Sequence, residues 1–419
     1  MHIYFSGIGG AGLSSLALLA KAAGYEVSGS DKASSINVEM LESHGIEVSL
    51  EQTEEHIAKV HERHSIDWLV ASAAIPDDHP EIKFADAERI KRTKRDDLLN
   101  AIIAEKKLPL VAVSGTHGKT TTSSMMVWIS KELGINIAYA VGSNPSFGPS
   151  GDYQEGATCL IIEADEYDRN MLKFNPYLAV IVSLDFDHPD TYADEGDYLS
   201  AFSQFASQSE HLMTWESIAK KIQYDGENLL DPEAKTEGLS LRGKHNRNNA
   251  YLAIQSMQYL NPDIDSAILI RAANSYPGVE RRFEQLSSGV YSDYAHHPVE
   301  IEATIQLASE QSENVVVVYQ PHQNVRQHHI KDQYTDCFLG AKKLYWLPTY
   351  LTREPSDLEL LTPDELTQKL ANQDVLRLAE LNDKLKQSLE SDLEADDTIV
   401  VFMGAGNIDD WARQNFQTN

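Results

Sequence analysis

The segment SGTHGKTTT, residues 114–122, has the composition of a phosphate-binding loop. It follows an apolar run that predicts a buried strand of a parallel sheet, and a helix pattern comes after it. Gly115 and Gly118 would let backbone N–H groups approach an anion, and the helix N-terminus adds partial positive charge. Lys119 could reach terminal phosphates, and Thr120 could offer its hydroxyl to Mg²⁺. The match to the P-loop pattern is partial, because its first glycine is missing, and an ordinary strand-to-helix turn is the alternative.

Two acidic segments supply further side chains of the kind that bind metal ions. EADEYD at residues 163–168 and DFDHPDTY at residues 185–192 each follow an apolar run that predicts a strand. Because ligands of open α/β sheets bind at the carboxyl ends of the strands, we expect both segments to lie beside the phosphate-binding loop. Glu163 and His188, with a threonine hydroxyl, would suit Mg²⁺ bridged to ATP phosphates. A solvated loop is the alternative for either segment taken alone.

A second glycine loop, GIGGAG at residues 7–12, follows a predicted first strand and precedes an apolar helix pattern. The next predicted strand ends at Asp31, and a later one leads into Ser72. A glycine loop of this type indicates a nucleotide bound at a βαβ turn. One hypothesis is NAD with Asp31 on a ribose, which would make the protein a nicotinamide dehydrogenase.

Composition narrows the class of protein and its partners. The formal net charge of −29 argues against broad binding of nucleic acid or anionic membranes, although it allows small phosphorylated substrates. Cys159 and Cys337 have no metal-type spacing, which fits a reducing compartment. The N-terminus lacks a signal-peptide pattern, and no apolar run is long enough to span a membrane. We therefore expect a cytoplasmic protein without membrane insertion.

Strands alternate with helices along the chain, which predicts an α/β fold. A polar linker precedes the strand before the phosphate-binding loop, and Pro277–Gly278 marks a second boundary. We predict three domains, at residues 1–106, 107–276 and 277–419.

Eight segments occur in an order and at spacings that resemble the Mur ligases of peptidoglycan synthesis: SGTHGKTTT, EADEYD, DFDHPDTY, HNRNNA, PGVERRFE, DYAHHP, QPHQNVR and FMGAGN. The resemblance covers essentially the whole chain. It implies a Rossmann-like N-terminal domain that binds UDP and a central P-loop-type ATPase domain with a parallel sheet. It also implies a C-terminal Rossmann-like α/β domain that closes over the site and brings in the amino acid.

The N-terminal GIGGAGLSSLA looks most like the family member that joins L-alanine to the lactyl carboxylate of UDP-N-acetylmuramate. That resemblance implies ATP as co-substrate, Mg²⁺ as cofactor, no nucleic-acid partner, and a monomer or homodimer.

The resemblance further implies roles for individual residues. ATP would contact Gly115, Thr116, Gly118, Lys119, Thr120, Thr121, Asn246, Asn249 and Arg282. The UDP-sugar would contact Gly9, Gly10, Gly12, Asp31 and Ser72. Metal ions would be held by Thr120, Glu163 and His188. The amino acid would meet His297, His322 and Arg326. Catalysis would depend on Lys119, Glu163, His188, Arg282 and Asp293, with Asp293 or His297 as candidate general base.

Some positions depart from the family pattern. Ser292 stands where the pattern has a second Asp, Gln323 where it has an Arg, and Ala295 where it has a Gly. The segment at residues 139–156 is shorter than usual. DYAHH and EADEYD also occur in the related muropeptide-recycling ligase, which attaches a peptide to the same sugar nucleotide. That ligase, a nicotinamide dehydrogenase and a non-catalytic nucleotide-binding protein are the alternatives.

Overall fold

The computed structural model describes residues 1–188, 191–231, 237–352, 354–355 and 357–417. Strands and helices alternate along these residues, and the strands form three separate sheets. This architecture confirms the predicted three-domain α/β fold. In the described part of the chain, none of the helices is long and apolar enough to cross a bilayer.

The first sheet carries the N-terminal glycine loop. Its strands are β1 His2–Ser6, β2 Glu26–Ser30, β3 Glu47–Ser49, β4 Trp68–Ala71 and β5 Lys91–Thr93. Its helices are α1 Ala11–Ala22, α2 Ile36–Ser43, α3 Glu54–Arg63, α4 Pro80–Ala87 and α5 Arg95–Lys106. All strands are parallel, in the order β3-β2-β1-β4-β5. The order reverses between β1 and β4, so the glycine loop after β1 lies at the topological switch point, where such sheets bind ligands.

The second sheet carries the phosphate-binding loop. Its strands are β6 Leu110–Ser114, β7 Ala138–Ala140, β8 Gly151–Tyr153, β9 Leu160–Glu163, β10 Leu178–Ile181, β11 His211–Trp215 and β12 Leu229–Leu230. The helices that follow are α6 Lys119–Glu132, α7 Glu195–Ser207, α8 Glu216–Lys221, α9 Lys244–Leu260 and α10 Ser266–Asn274, with a 3-10 helix at Tyr167–Lys173. The order is β12-β11-β10-β6-β9-β7-β8, and only the β7–β8 pair is antiparallel among the described pairs. Strand β6 therefore lies between β9 and β10, and this places the ends of all three strands side by side.

The third sheet is again mostly parallel. Its strands are β13 Glu284–Ser287, β14 Val290–Asp293, β15 Asn314–Tyr319, β16 Lys343–Trp346, β17 Leu376–Leu378 and β18 Thr398–Met403. Its helices are α11 Pro298–Ser309, α12 Asn324–Ile330, α13 Pro363–Thr367, α14 Asp383–Leu393 and α15 Ile408–Phe416, with 3-10 turns at Lys331–Gln333 and Gln373–Val375. The order is β13-β14-β18-β15-β16-β17, with β13 antiparallel. Along β15, Val315 and Val317 enter one core cluster while Val316 and Val318 enter the other, so both faces of the strand are covered.

The chain forms two compact units, and the first two sheets belong to the same one. That unit contains Met1–Gly238 and Asn249–Pro277, and the other contains Leu239–Asn248 and Gly278–Asn419. The segment Leu239–Asn248 joins the second unit because Glu310 accepts hydrogen bonds from the Gly243 N–H and from the Arg247 guanidinium. The three domain boundaries stay predictions.

Candidate functional site

The phosphate-binding loop fits against the end of β10 so closely that two of its residues must be glycine. Gly115 has φ +134°, and a Cβ on it would lie 2.8 Å from the Ser183 carbonyl oxygen. Gly118 has φ +83°, and a Cβ there would lie 2.7 Å from Asn249 Oδ1 and 2.9 Å from Val182 Cγ1. Both positions favour glycine for their positive φ and for the close approach. Glycine at these positions therefore allows the loop to pack closely against the segment after β10 and against α9.

Lys119 is the first residue of α6 and points back across the loop. Its Nζ donates to Gly115 O at 2.7 Å and to Glu166 Oε2 at 2.7 Å. Glu166 is almost fully buried, and His188 Nε2 lies 3.5 Å from its other carboxylate oxygen. One carboxylate thus holds the predicted phosphate-binding lysine and the predicted metal-binding histidine.

The protonation states of this cluster are coupled. Burial lowers the pKa of Lys119, but Glu166 and neighbouring carboxylates outweigh it, so that the net pKa is raised. Burial raises the pKa of Glu166, but Lys119 and His188 outweigh it and lower the pKa overall. The lysine is therefore a cation and the glutamate an anion at neutral pH.

Glu163 ends β9 directly opposite the start of α6. Its carboxylate accepts hydrogen bonds from Thr120 Oγ1 at 3.0 Å, Ser123 Oγ at 3.2 Å and the Gly142 N–H at 2.6 Å. A carboxylate beside a hydroxyl is an oxygen donor set of the kind that Mg²⁺ takes together with substrate phosphates and water. The residues present therefore fit the predicted metal. Within the described ranges no three His, Cys, Asp or Glu side chains form a metal-binding group by themselves, so water and phosphate would have to complete the coordination.

Of the other predicted ATP contacts, Thr116 and Thr121 lie in the loop segment itself, and Asn249 lies against it. Thr116 Oγ1 bonds to Asp185 O and N and to the Tyr198 hydroxyl, which fixes the loop to the segment after β10. Thr121 lies buried in the first turn of α6. Asn249 contacts Gly118 as described. The helix α9 also carries Asn246, whose Nδ2 donates to Arg242 O at 3.2 Å, but Asn246 and Asn249 fall in different compact units.

The predicted UDP-sugar residues lie together at the end of β1. The Gly9 N–H donates to Asp31 Oδ2 at 2.8 Å, so Asp31 anchors the glycine loop itself. Gly10 is exposed at the N-cap of α1. Gly12 lies under Arg95, whose Nε donates to Gly12 O at 3.2 Å. The remaining predicted contact, Ser72, packs against Gly7, where a Cβ would lie 2.9 Å from the serine Cβ.

In the second unit, the segment before β13 places Arg282 beside an aromatic ring and a histidine. The Arg282 guanidinium lies 5.3 Å from the centre of the Tyr294 ring, and the Arg281 guanidinium lies 4.7 Å from the same ring centre. Burial, and then the charge of Arg282, lowers the pKa of His245 to about 4. His245 is therefore neutral at neutral pH.

The buried carboxylate of Asp293 organises the turns on both sides of it. Oδ2 accepts the Phe283 N–H at 2.7 Å, and Oδ1 accepts the Ala295 N–H at 2.8 Å and Thr304 Oγ1 at 3.2 Å. Burial raises the pKa of Asp293 to about 6, although Arg282 opposes the rise. These contacts are structural, and a role as general base stays a prediction.

The three predicted amino-acid contacts follow two strands of the third sheet, β14 and β15, which lie on either side of β18. His297 is buried, and its Nδ1 accepts the Val299 N–H as the N-cap of α11. His322 stacks on Tyr350 with the ring planes 9° apart and the centroids 5.9 Å apart. Arg326 follows on α12 and is half-buried. The contacts of His297 are those of a helix cap, while His322 and Arg326 lie in the loop and helix after β15.

Two of the departures from the family pattern, Ser292 and Gln323, have local contacts that account for them. Ser292 Oγ donates to Asp409 Oδ1 at 2.5 Å, and Asp409 also accepts Arg413 Nε at 3.0 Å. The Ser292 hydroxyl thus satisfies a carboxylate where a second Asp would repel it. Gln323 adopts φ +59° at the N-cap of α12, where its carbonyl accepts the Gln327 N–H and its own N–H donates to Tyr350 O.

Sequence reasoning did not select Glu166, Arg95 or Asn37, although each contacts a predicted site residue. Glu166 lies in the quoted EADEYD segment, and the signal for it was a third carboxylate after the same strand. Arg95 and Asn37 contact the N-terminal glycine loop from α5 and α2, and nothing in their local sequence distinguishes them from other surface residues.

Sequence models of three successive domains match this chain. They are the Mur ligase family catalytic domain at residues 2–107, the Mur ligase middle domain at residues 113–214 and the Mur ligase glutamate ligase domain at residues 281–406. Curated relatives include the UDP-N-acetylmuramate–L-alanine ligase of Christiangramia forsetii, which is 31% identical with 97% of this chain and 95% of the relative covered. The enzyme of that name from Clostridium beijerinckii is 30% identical, with the same two shares covered.

Solved structures share the fold along the whole chain. The UDP-N-acetylmuramate-alanine ligase of Thermotoga maritima superposes with a TM-score of 0.78 at 23% identity, covering 99% of this chain and 98% of that one. A murein peptide ligase of Psychrobacter arcticus gives a TM-score of 0.63 at 20% identity with the same coverage. The sequence models, the full-length relatives and the fold agree, and this chain belongs to the Mur ligase family.

Proposed function

We propose that this protein joins L-alanine to the lactyl carboxylate of UDP-N-acetylmuramate, with ATP converted to ADP and phosphate, as a step of peptidoglycan precursor synthesis. The observation that carries the proposal is the ion pair of Lys119, at the start of α6, with the buried Glu166, and the Glu163–Thr120 pair beside it. Relatives about as long as this chain and 30–31% identical are L-alanine ligases of this kind. We expect the reaction to occur in the cytoplasm.

The first step transfers the γ-phosphoryl group of ATP to the carboxylate, which gives an acyl phosphate and ADP. Two anions must approach each other, so catalysis depends on positive charge placed in advance. Lys119 supplies a fixed cation because Glu166 orients its Nζ. Thr120 and Glu163 would hold Mg²⁺, and the bound ion would neutralise charge on the phosphates. His188 is held by Glu166 on the other side of the same carboxylate.

In the second step, the alanine nitrogen attacks the acyl carbon and phosphate leaves. The amine must lose a proton before it attacks, and a carboxylate of raised pKa such as Asp293 is one candidate base. Arg326 is suited to the alanine carboxylate, since a guanidinium binds a carboxylate through paired hydrogen bonds. Arg282 would meet the ATP side of the site.

A peptide acceptor is the nearest competing function. In a free amino acid the carboxylate lies one carbon from the nucleophilic nitrogen, so an arginine at the reaction centre can position the nitrogen. In a peptide the free carboxylate lies far from the nucleophilic nitrogen, so an arginine at the reaction centre could not position the nitrogen in this way. The nicotinamide dehydrogenase alternative loses its support, because the chain belongs to a ligase family and Asp31 is engaged by the glycine loop.

The test is release of phosphate in mixtures from which one component at a time is omitted. We expect release only when ATP, Mg²⁺, UDP-N-acetylmuramate and L-alanine are all present. Lys119→Ala should lower the rate by at least about 100-fold, as loss of a main electrostatic group at a transferring phosphoryl does. Near-normal turnover of that variant, or turnover without the sugar nucleotide, would contradict the proposal.

A further inference from the structure

A loop between β7 and β8 connects the two nucleotide half-sites of the first unit. Near its start the loop is tied to Glu163 at the end of β9, whose Oε1 accepts the Gly142 N–H at 2.6 Å. Two residues later, Asn144 Nδ2 donates to Asn37 Oδ1 at 3.1 Å. Asn37 Nδ2 in turn donates to the carbonyl oxygen of Gly9 at 2.8 Å. Three hydrogen bonds and a short stretch of chain therefore link the carboxylate on the phosphate side to the N-terminal glycine loop.

Both ends of this connection are fixed. The Gly9 peptide is held through its N–H by Asp31 at 2.8 Å and through its carbonyl by Asn37. At the other end, Glu163 accepts hydrogen bonds from Thr120 and Ser123. Where the loop enters β8, a Cβ on Gly151 would lie 1.9 Å from Ser15 O, so the backbone of β8 lies directly against α1. Helix α1 begins in the same glycine loop. The loop between β7 and β8 is therefore placed by the element that would bind the sugar nucleotide.

We propose that Asn37 and Asn144 are positioning residues for the ligation, which set the approach of the sugar nucleotide's carboxylate to the γ-phosphorus of ATP. This inference rests on the proposed function. A carboxylate oxygen forms a bond to phosphorus while the bond from phosphorus to the ADP oxygen breaks. The two partners are bound by different sheets, so an element tied to both sets their separation. Misplacement by ~1 Å at such a reaction centre can lower the rate about 100-fold.

Neither asparagine needs to contact the reacting atoms in this role. Asn37 acts through the Gly9 peptide, and Asn144 acts through Asn37 on one side and through the chain from Gly142 on the other. The separate anchors of each half-site remain when the asparagines are removed. These are Asp31 on Gly9 and Thr120 on Glu163. Loss of the asparagines should therefore affect turnover rather than binding.

The experiment compares Asn37→Ala, Asn144→Ala and the double variant in full-length protein. We expect kcat to fall about 10-fold or more in each, because the substrates are misplaced. Dissociation constants for ATP and for UDP-N-acetylmuramate, measured separately by calorimetry, should stay within about twofold because the anchors remain. The double variant should be no worse than either single variant, since both break one connection.

The matched control is Asn100→Ala. Asn100 Nδ2 donates to Lys173 O at 3.2 Å, which also joins the first sheet's helices to the segment after β9 but touches neither half-site. This variant should keep near-normal kcat. An equal loss in the control would show a general effect on stability and overturn the proposal, as would kcat within twofold of wild type in Asn37→Ala and Asn144→Ala.

A second measurement does not depend on turnover. Hydrogen–deuterium exchange of residues 142–148 should slow when UDP-N-acetylmuramate is added to wild-type protein or to Asn100→Ala, but not in Asn37→Ala. An unchanged exchange rate in the wild type under saturating sugar nucleotide would overturn the proposal that the asparagines link the two half-sites. Normal slowing together with no ligation by the wild type would instead contradict the proposed function.

Discussion

At the scale of single residues, the Glu166 carboxylate joins two predicted site residues, Lys119 and His188. It is almost fully buried and bonds to Lys119 Nζ at 2.7 Å. Removing one member of a buried ion pair leaves the other uncompensated, whereas exposed pairs contribute little. The pair both fixes the direction of Lys119 and keeps it charged.

We therefore predict that Glu166→Gln lowers kcat about 10-fold or more, because Lys119 loses the carboxylate that orients it. The KM for UDP-N-acetylmuramate should change little. The measurement is steady-state ADP release with each substrate varied in turn. Glu55→Gln, which breaks the exposed pair with Lys59, serves as control and should leave both constants unchanged. A faster Glu166→Gln enzyme would mean that the pair restrains Lys119 rather than placing it.

Asp293 gives a prediction for stability against pH. Burial raises its pKa from 3.8 to about 6, so between these values the folded protein binds the proton more than the unfolded chain does. The protonated carboxyl therefore adds stability below about pH 4, and this contribution is lost as the pH rises through 6. We expect the free energy of unfolding of wild type, relative to Asp293→Asn, to fall by a few kcal/mol across this window. Denaturant unfolding at several pH values measures it, and a difference that does not vary with pH would refute the raised pKa.

Individual residues were predictable where a motif names them and not where only packing does. The GTHGKTT segment gave Lys119 and Thr120, and the strand-end rule gave Glu163. The choice of Glu166 as partner of Lys119 depends on a turn after β9 that includes φ +51° at Asp168, which no periodicity reveals. The roles of the site residues in the reaction remain predictions.

At the scale of elements, two glycines at the ends of α6 distinguish the effect of close packing against α9 from the effect of a positive φ. Gly118 at the N-terminus of α6 has φ +83° and would place a Cβ against Asn249 and Val182. Gly134, just after the same helix, has φ +64° but open space around a Cβ. An alanine at either position would therefore have to adopt an unfavourable positive φ, but only at position 118 would its Cβ also meet neighbouring atoms.

We predict that Gly118→Ala weakens ATP binding about 10-fold or more, because the loop must move away from Val182 and Asn249. Gly134→Ala should lower thermal stability by the cost of a positive φ, of order 1 kcal/mol, and leave ATP binding intact. Calorimetric titration with ATP and thermal unfolding of both variants measure the two effects. Equal ATP affinities in the two variants would show that the close approach at Gly118 is unimportant.

The elements that the sequence predicted are the buried central ones. The predicted strands before the two glycine loops are β1 and β6, and those before the two acidic segments are β9 and β10, because their apolar runs follow from burial on both faces. The short edge strands were not expected. Lys91–Thr93 in β5 is mostly exposed and has no strand pattern, so its pairing with β4 is decided by tertiary contacts. The same holds for Leu239–Asn248, whose partner Glu310 is distant in sequence.

At the scale of the whole molecule, the net charge of −29 opposes substrates that are themselves anions. Salt screens this repulsion, since the Debye length falls from about 30 Å at 0.01 M to about 8 Å at 0.15 M ionic strength. We predict that kcat/KM for UDP-N-acetylmuramate rises severalfold over this range at constant free Mg²⁺. Initial rates at low substrate concentration measure it. A steady decline with salt would indicate that local cations, rather than the overall charge, govern encounter.

The central claim is that the acceptor is free L-alanine. The most direct measurement offers the protein UDP-N-acetylmuramate, ATP and Mg²⁺ with equal concentrations of L-alanine and of an L-Ala-γ-D-Glu-containing peptide, and identifies the products by mass. We predict that the L-alanine adduct forms, that the peptide adduct is negligible, and that added NAD has no effect. Formation of the peptide adduct with no L-alanine adduct would contradict the account and assign the protein to muropeptide recycling.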